Sequence, residues 1–228
     1  MGHSVLLVPV PPLEAFVVSR WQHYDPAWVS TDPAFAHAHV TLLAPFLSGP
    51  DLSPRAVGRV AEIARSAVPF DFRLAELGTF PNGIVHLKPN PAAPFRDLTA
   101  RLCAAFPQCP PYAGEFPDPE PHLTLDLASD EVTEASARAA LGETLPAACR
   151  AERVQLAWYE EGDCHVLAQW RLGEPAPELA GHELAGHELA GRERAGRELA
   201  GPEPRRAGVQ RPGARSGSTW RTTSATSG

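Results

Sequence analysis

The spacing of apolar residues along positions 1–173 predicts a chain of short strands interleaved with helices. Alternating or continuous apolar runs predict strands over 4–10, 40–44, 70–77, 84–88, 122–127, 149–159 and 165–172. Apolar stripes at helical spacing predict helices over 13–21, 54–64, 95–106 and 131–141. Ser53 is the predicted N-cap of the second helix, with Pro54 at its first helical position.

The order of these elements suggests two halves of similar design. The segment HVTLL opens a strand followed by a helix in the first half of the chain, and HLTLDL does the same in the second half. We therefore predict an α+β fold, bilobal and pseudo-two-fold, in which two antiparallel-sheet lobes carry flanking helices. The motif strands lie at 39–43 and 122–127.

The pattern changes abruptly after Leu172. Repeats of the type ELAGH and ELAGR begin at Glu178 and lead into an end rich in Arg, Gly, Ser and Thr. A five-residue period matches neither helix nor strand, and each Gly costs a helix about 1 kcal/mol. We predict one folded domain over 1–173 and a disordered tail over 174–228, with His182 and His187 as solvent-exposed repeat residues.

Charge and cysteine usage narrow the class of protein. Residues 1–173 hold 12 basic and 20 acidic residues, a net charge of −8, which argues against binding to long nucleic-acid duplexes. The cysteines show no metal-finger spacing, which predicts reduced, buried thiols: Cys103, Cys109, Cys149 and Cys164. No basic-flanked leader and no apolar run of about 20 residues occurs, so the chain is expected to be soluble and cytoplasmic.

Two short motifs carry the candidate chemistry. In a strand, residues i and i+2 share a face, so His39 points with Thr41 and His122 points with Thr124, while the opposite face is aliphatic. Imidazole titrates near neutral pH, so one ring can act as a base while the other acts as an acid. A hydroxyl can donate a hydrogen bond to a phosphoryl oxygen. The target that fits this pair is a phosphodiester, particularly a strained cyclic one.

For a single strand histidine, a hydrogen-bonded structural role is the ordinary expectation, and one His-x-Thr is a weak motif. The duplication, with aliphatic residues at the intervening positions in both copies, favours function. Thr is common in strands because of its branched side chain, which makes Thr41 and Thr124 less specific than the histidines.

The paired HVTL and HLTL motifs, 83 residues apart, resemble the 2H phosphoesterase superfamily, in particular its 2′-5′ RNA ligase and RNA 2′,3′-cyclic phosphodiesterase branch. The resemblance covers most of 1–172 and not the tail. It implies a cleft between two lobes and no metal or other cofactor. It also implies that His39 is the proton donor, that His122 is the proton acceptor, and that Thr41 and Thr124 hold the phosphate.

Several other residues are weaker candidates than this pair. His37 shares a face with His39, a spacing seen in metal sites, but Asp32 is the closest acid in sequence, so we expect a cleft-edge or surface residue. His86 and His165 are expected to be structural. Three aromatic residues are candidates for stacking on a base, although packing is the commoner use of such rings: Phe46, Phe80 and Tyr112.

The sequence thus predicts a metal-independent cyclic phosphodiesterase acting on an RNA 3′ end or a small cyclic-phosphate nucleotide, with reverse 2′-5′ ligation as a related activity. The acidic body, in which Lys88 is the only lysine, argues against a long RNA substrate. We expect a monomer without a membrane partner. The alternatives are a non-catalytic module that binds an RNA end or nucleotide in the same cleft, and a metal hydrolase that a chelator would inactivate.

Overall fold

The computed structural model describes residues 2–116 and 119–174. These residues contain eight strands: β1 (His3–Pro9), β2 (His39–Leu43), β3 (Phe70–Thr79), β4 (Ile84–Asn90), β5 (Leu123–Leu127), β6 (Ala147–Ala151), β7 (Arg153–Tyr159) and β8 (His165–Arg171). They also contain four α-helices: α1 (Glu14–Tyr24), α2 (Pro54–Arg65), α3 (Ala93–Ala105) and α4 (Glu134–Leu141). Short 3-10 turns occupy Pro11–Leu13, Pro26–Trp28, Gly49–Asp51, Pro111–Gly114 and Gly142–Thr144.

All eight strands join one antiparallel sheet in the order β6-β3-β4-β5-β2-β1-β7-β8. The predicted α+β fold is therefore confirmed, and its two lobes are the two four-strand halves of this sheet. In each half the motif strand, β2 or β5, is the innermost. The halves do not follow the chain order, because β3 to β6 form one half, whereas β1, β2, β7 and β8 form the other.

The link between β6 and β7 shows that the sheet is curled. Residues 149–159 were predicted as one strand, but the chain leaves β6 at Ala151 and enters β7 at Arg153. These strands are six positions apart in the sheet, roughly 29 Å if the sheet were flat, whereas two residue steps reach about 7 Å. The two ends of the sheet must therefore approach each other. The signal in the sequence is a change of parity, from buried Cys149 and Ala151 to buried Val154.

The main core lies on the aliphatic side of the motif strands. Val40, Leu42, Leu123 and Leu125 are at most 2 % exposed, as the alternation predicted. Helices α2 and α3 contribute to the same core through residues spaced three and four apart: Val60, Ala64, Phe95, Leu98 and Leu102. The four cysteines are unpaired; all are buried except Cys103, which is half-buried.

Several local predictions can be compared with the structure directly. The Ser53 hydroxyl accepts a hydrogen bond from the Ala56 amide at 3.3 Å, which confirms the predicted N-cap of α2. No helix in the described ranges is both long and apolar enough to cross a membrane. The predicted disordered tail lies outside the described residues except for Glu174, so it stays a prediction.

Candidate active site

The pairing of β2 with β5 brings the four motif residues onto one patch. Val40 faces Leu123 in the antiparallel ladder, and continuing this register places His39 across from Thr124 and Thr41 across from His122. Their side chains point away from the core, because Val40 and Leu123 point into it. Directly opposite residues have Cβ atoms about 5 Å apart, and diagonal ones lie roughly 7–8 Å apart. The two imidazoles thus occupy one diagonal and the two hydroxyls the other.

His39 is held by carbonyl oxygens that precede it in the chain. Its Nδ1 donates to the His37 carbonyl at 2.8 Å and lies 3.1 Å from the Ala36 carbonyl. A carbonyl oxygen only accepts, so Nδ1 carries the proton and Nε2 is the nitrogen available for proton transfer. Burial lowers the pKa of His39 to about 4, against an opposing effect of the two carbonyl bonds.

His122 repeats this arrangement in the other half of the sheet. Its Nδ1 donates to the Glu120 carbonyl at 2.8 Å, two residues earlier in the chain, just as His39 donates to His37. Burial lowers the pKa of His122 as well, and the bond to Glu120 opposes this effect. Both histidines are therefore neutral at pH 7 and present Nε2 as an acceptor.

Tyr112 connects the two motif strands. Its side chain is hydrogen-bonded to Thr41, its ring stacks on His122 with centroids 6.4 Å apart, and its amide donates to the Ala44 carbonyl at 2.6 Å. Burial raises the pKa of Tyr112 to about 12. Tyr112 and Ala113 have φ values of 50° and 54°, which is strained for residues with a side chain. Strain of this kind, held at a site where Tyr112 contacts both motifs, is typical of functional loops.

The three predicted stacking aromatics separate into two groups. Phe80 lies in the patch, edge-on to His122 at 4.8 Å, and Tyr112 also contacts His122. Phe46 is 6 % exposed and packs edge-on against Phe106 at 4.9 Å within the main core. A ring enclosed in this way has no free face for a base, so the structure gives Phe46 a packing role.

Glu14 supports the His39 strand and was not found from the sequence. Its carboxylate accepts hydrogen bonds from the His37 amide at 3.1 Å, from His37 Nδ1 at 2.7 Å and from the Ala38 amide at 2.8 Å. His37 Nε2 accepts from the Ser30 amide at 3.0 Å. Of the two predicted alternatives, a surface residue is wrong, because the His37 side chain is 8 % exposed and both its nitrogens are bonded; a residue at the cleft edge stays a prediction. The relevant acid is Glu14, because α1 brings it close, and not Asp32.

Three further side chains near the patch were also missed. The Tyr159 hydroxyl on β7 lies 3.5 Å from His39 Nδ1. Asp126 is two residues beyond Thr124 on β5, 7 % exposed, and it is paired with Arg20 of α1. No local pattern marks Tyr159 and Arg20, because each comes from an element that only the tertiary fold brings to the motif strands. Asp126 is on β5 itself, where it continues the two-residue period of His122 and Thr124.

His86 is the third imidazole of this region. It lies directly across from Thr124 in the β4–β5 ladder, and its ring centroid is 5.5 Å from that of His122. Lys88, two residues further along β4, forms long ion pairs with Glu76 at 3.5 Å and Glu120 at 3.8 Å. Within the described ranges, no three His, Cys, Asp or Glu side chains are grouped as metal ligands.

Comparison with known proteins identifies the family to which this chain belongs. The sequence pattern of the 2′-5′ RNA ligase superfamily matches residues 9–163. The chain therefore belongs to the 2′-5′ RNA ligase superfamily, which confirms the resemblance inferred from the two motifs. No curated protein matches the sequence significantly.

Two solved structures illustrate the similarity in fold. E. coli LigT complexed with 3′-AMP has a TM-score of 0.50 and 20 % identity, and TT0787 of Thermus thermophilus has a TM-score of 0.53 and 21 % identity. Each alignment covers 75 % of this chain and 98 % of the other. At this level of identity the similarity concerns the fold alone.

Proposed function

We propose that this protein is a metal-independent phosphodiesterase that opens 2′,3′-cyclic phosphates at RNA 3′ ends or on small nucleotides. Membership in the superfamily supports an enzyme acting on phosphodiester bonds. The observation that carries the finer proposal is the patch itself: two imidazoles with the same Nδ1 hydrogen bond, diagonal to two threonine hydroxyls.

The proposed step is in-line attack of water on the cyclic phosphorus. His122 Nε2 takes a proton from the attacking water, a P–O bond to the ribose breaks, and His39 donates a proton to the leaving ribose oxygen. Thr41 and Thr124 donate hydrogen bonds to the non-bridging oxygens, where negative charge accumulates. The product is a phosphomonoester with a free neighbouring hydroxyl. If the 5′-hydroxyl of a second RNA replaces water as the nucleophile and the 3′ oxygen leaves, the same proton transfers would form a 2′-5′ phosphodiester.

In the resting protein His39 does not carry the proton that it is proposed to donate. His39 must gain a proton before it can act as an acid, although burial holds its pKa at about 4. An anionic phosphodiester bound beside it favours the charged imidazolium, because an opposite charge within a few ångströms stabilises that form. Substrate binding and proton uptake are therefore coupled. We expect kcat/KM, which reports the free protein, to be highest below pH 6.5.

The charges around the patch favour a short substrate. Arg20 is paired with Asp126, and Lys88 lies near Glu76 and Glu120, so the cations near the motif strands are largely balanced by carboxylates. A long RNA backbone needs several unpaired cations to displace its counterions. One terminal cyclic phosphate, held by hydroxyls and imidazoles, needs fewer.

The test is hydrolysis of a short RNA ending in a 2′,3′-cyclic phosphate, with excess chelator present. Wild type is compared with His39→Ala, His122→Ala and a matched control, His165→Ala, which removes a partly exposed histidine on β8. We expect chelator-resistant opening in wild type and control, and a loss of about 10²–10⁴-fold in each site variant. The position of the product phosphate identifies the leaving oxygen.

Opening that disappears with chelator would replace this proposal by a metal hydrolase. Retention of turnover in both site variants would exclude the two-histidine mechanism. Binding of the RNA end without turnover in folded wild type would indicate a binding module.

A further inference from the structure

His86 has a polar atom that the fold does not satisfy. The residue is 1 % exposed, and its Nε2 has no hydrogen-bond partner among the described residues. Its Nδ1 donates to the Ile84 carbonyl at 3.2 Å, but that carbonyl also accepts from the Phe80 amide at 3.0 Å. A buried acceptor without a donor costs stability. An apolar ring at position 86 would remove this cost and leave the Ile84 carbonyl satisfied, so the fold itself does not require an imidazole there.

The surroundings of His86 direct its ring towards His122. Phe80 stacks on the His86 ring with centroids 3.8 Å apart and also packs edge-on against His122 at 4.8 Å. Gly78 of β3, which pairs with His86 in the ladder, leaves room for the imidazole, since a Cβ at that position would lie 3.0 Å from His86 Nε2. Gly78 and Phe80 thus seat the ring of His86 5.5 Å from His122, at an interplanar angle of 68°.

We propose that His86 is a positioning residue for His122, holding its imidazole edge-on and competing with it for a proton so that His122 remains the base. This inference rests on the proposed function and adds a third histidine to it. Two imidazoles at this separation do not readily carry a proton each, because like charges repel more strongly in a partly buried site.

Some charged groups around His86 favour its protonated form and others disfavour it. The groups that face it are Lys88 of β4, Glu120 before β5, His122 of β5 and Glu134 of α4, and Glu76 of β3 pairs with Lys88. Lys88 and protonated His122 disfavour the charged form of His86, whereas Glu120 and Glu134 favour it. Burial is the largest effect and lowers the pKa of both His86 and His122. The resting pair is therefore neutral.

The experiment compares wild type with His86→Phe, which keeps a ring to stack on Phe80 and removes the nitrogen that has no partner. The matched control is His165→Phe on β8. Three quantities are measured: the midpoint of unfolding, kcat and KM against pH, and the titration of the His122 ring followed by NMR in the resting protein.

We expect His86→Phe to unfold at the same denaturant concentration as wild type or a higher one. Its kcat should fall about ten-fold, a fraction of what a general base contributes, with KM changed less than about two-fold. The His122 titration midpoint and the alkaline limb of kcat/KM should move to higher pH by roughly half a unit or more. His165→Phe should match wild type in all three.

A second variant separates ring position from charge. Gly78→Ala keeps the imidazole but forces its Nε2 away from a new Cβ, so kcat should fall while the unfolding midpoint changes little.

The proposal is overturned if His86→Phe is strongly destabilised or does not fold, or if the His122 titration is unchanged. Unfolding and NMR do not need turnover, so the His86 inference is decided even if wild type fails to open a cyclic phosphate. If wild type opens no cyclic phosphate, the proposed function is rejected, while the inference about His86 is judged on the unfolding and NMR results.

Discussion

The same four-residue motif is supported in two different ways in the two halves of the sheet. His39 is backed by hydrogen bonds: the Glu14 carboxylate holds the His37 and Ala38 backbone, and the His37 carbonyl holds His39. His122 is surrounded by rings, with Tyr112 against its face and Phe80 and His86 at its edge. The Nδ1 bond to the carbonyl two residues earlier is common to both, and His39 also has an aromatic neighbour, Tyr159, with ring centroids 6.1 Å apart.

The two imidazoles are therefore placed in the same way but are supported by different kinds of contact. The repeated motif gives both imidazoles the same tautomer and places them in one patch. The residues that support each imidazole differ, so substitutions in the two halves are expected to have different effects. A hydrogen-bond network that ends on a buried backbone is expected to affect stability first and activity second. Ring contacts that leave the backbone untouched are expected to affect activity first. The following variants test this comparison.

The largest effect is expected from Glu14→Ala. The substitution leaves two backbone amides and His37 Nδ1 without their acceptor, and orphaned buried donors cost about 1–3 kcal/mol each. We expect a loss of at least about 3 kcal/mol in the free energy of unfolding, measured with urea. Glu14→Gln, which keeps one oxygen, should lose less. A change below about 0.5 kcal/mol in Glu14→Ala would show that the network does not support the strand.

The next effect concerns the dependence of stability on pH. Because the folded-state pKa of His39 is about 4 and its unfolded value about 6.5, the folded state resists protonation. The stabilisation is complete above pH 6.5 and declines as pH falls towards 4. His39→Gln should therefore remove at most about 3 kcal/mol of the acid-induced destabilisation over this window, at 1.36 kcal/mol per pKa unit. Parallel curves for the two proteins would contradict the assigned pKa.

A smaller effect is expected at Tyr112, which contacts residues of both motifs. Tyr112→Phe keeps the ring on His122 but removes the hydroxyl bonded to Thr41, so turnover should fall about five- to ten-fold, about 1–1.4 kcal/mol. Thr41→Val alone should lose more, because Thr41 is proposed to contact the phosphate. In the double variant the Tyr112 change should add little, and full additivity would exclude coupling between the two residues.

The smallest effect is expected for Tyr159→Phe. The Tyr159 hydroxyl lies 3.5 Å from His39 Nδ1, a long contact to a nitrogen already bonded to a carbonyl. We expect kcat/KM within about two-fold of wild type, since a contact at this distance contributes little. A ten-fold loss would place Tyr159 among the groups that position His39.

Local periodicity was enough to predict the motif strands and the face on which their polar residues lie. The two-residue period assigns Val40 and Leu123 to the core, and hence His39 and His122 to the opposite side, without any tertiary information. The shared patch follows from the pairing of β2 with β5, which the duplicated motif suggested but could not specify.

The remaining residues around the site could not be predicted in this way. Glu14 meets His37 across 23 residues of sequence, and Tyr112 reaches Thr41 from a strained turn. The position of His86 next to His122 depends on the register between β4 and β5, which the sequence pattern does not specify. Phe46 had the composition of a stacking residue, but its burial is decided by how α3 and the segment after it pack.

The single-residue link at Glu152 has a consequence for the order in which the chain can assemble. The half of the sheet that carries His122 is encoded without interruption, from β3 to β6. The half that carries His39 starts with β1 and is completed only when β7 and β8 arrive, more than a hundred residues later. During synthesis the four strands of the half that carries His122 can pair while the half that carries His39 still lacks β7 and β8. A chain stopped at Ala151 would therefore retain every strand beside His122 and leave β1 without its outer neighbour.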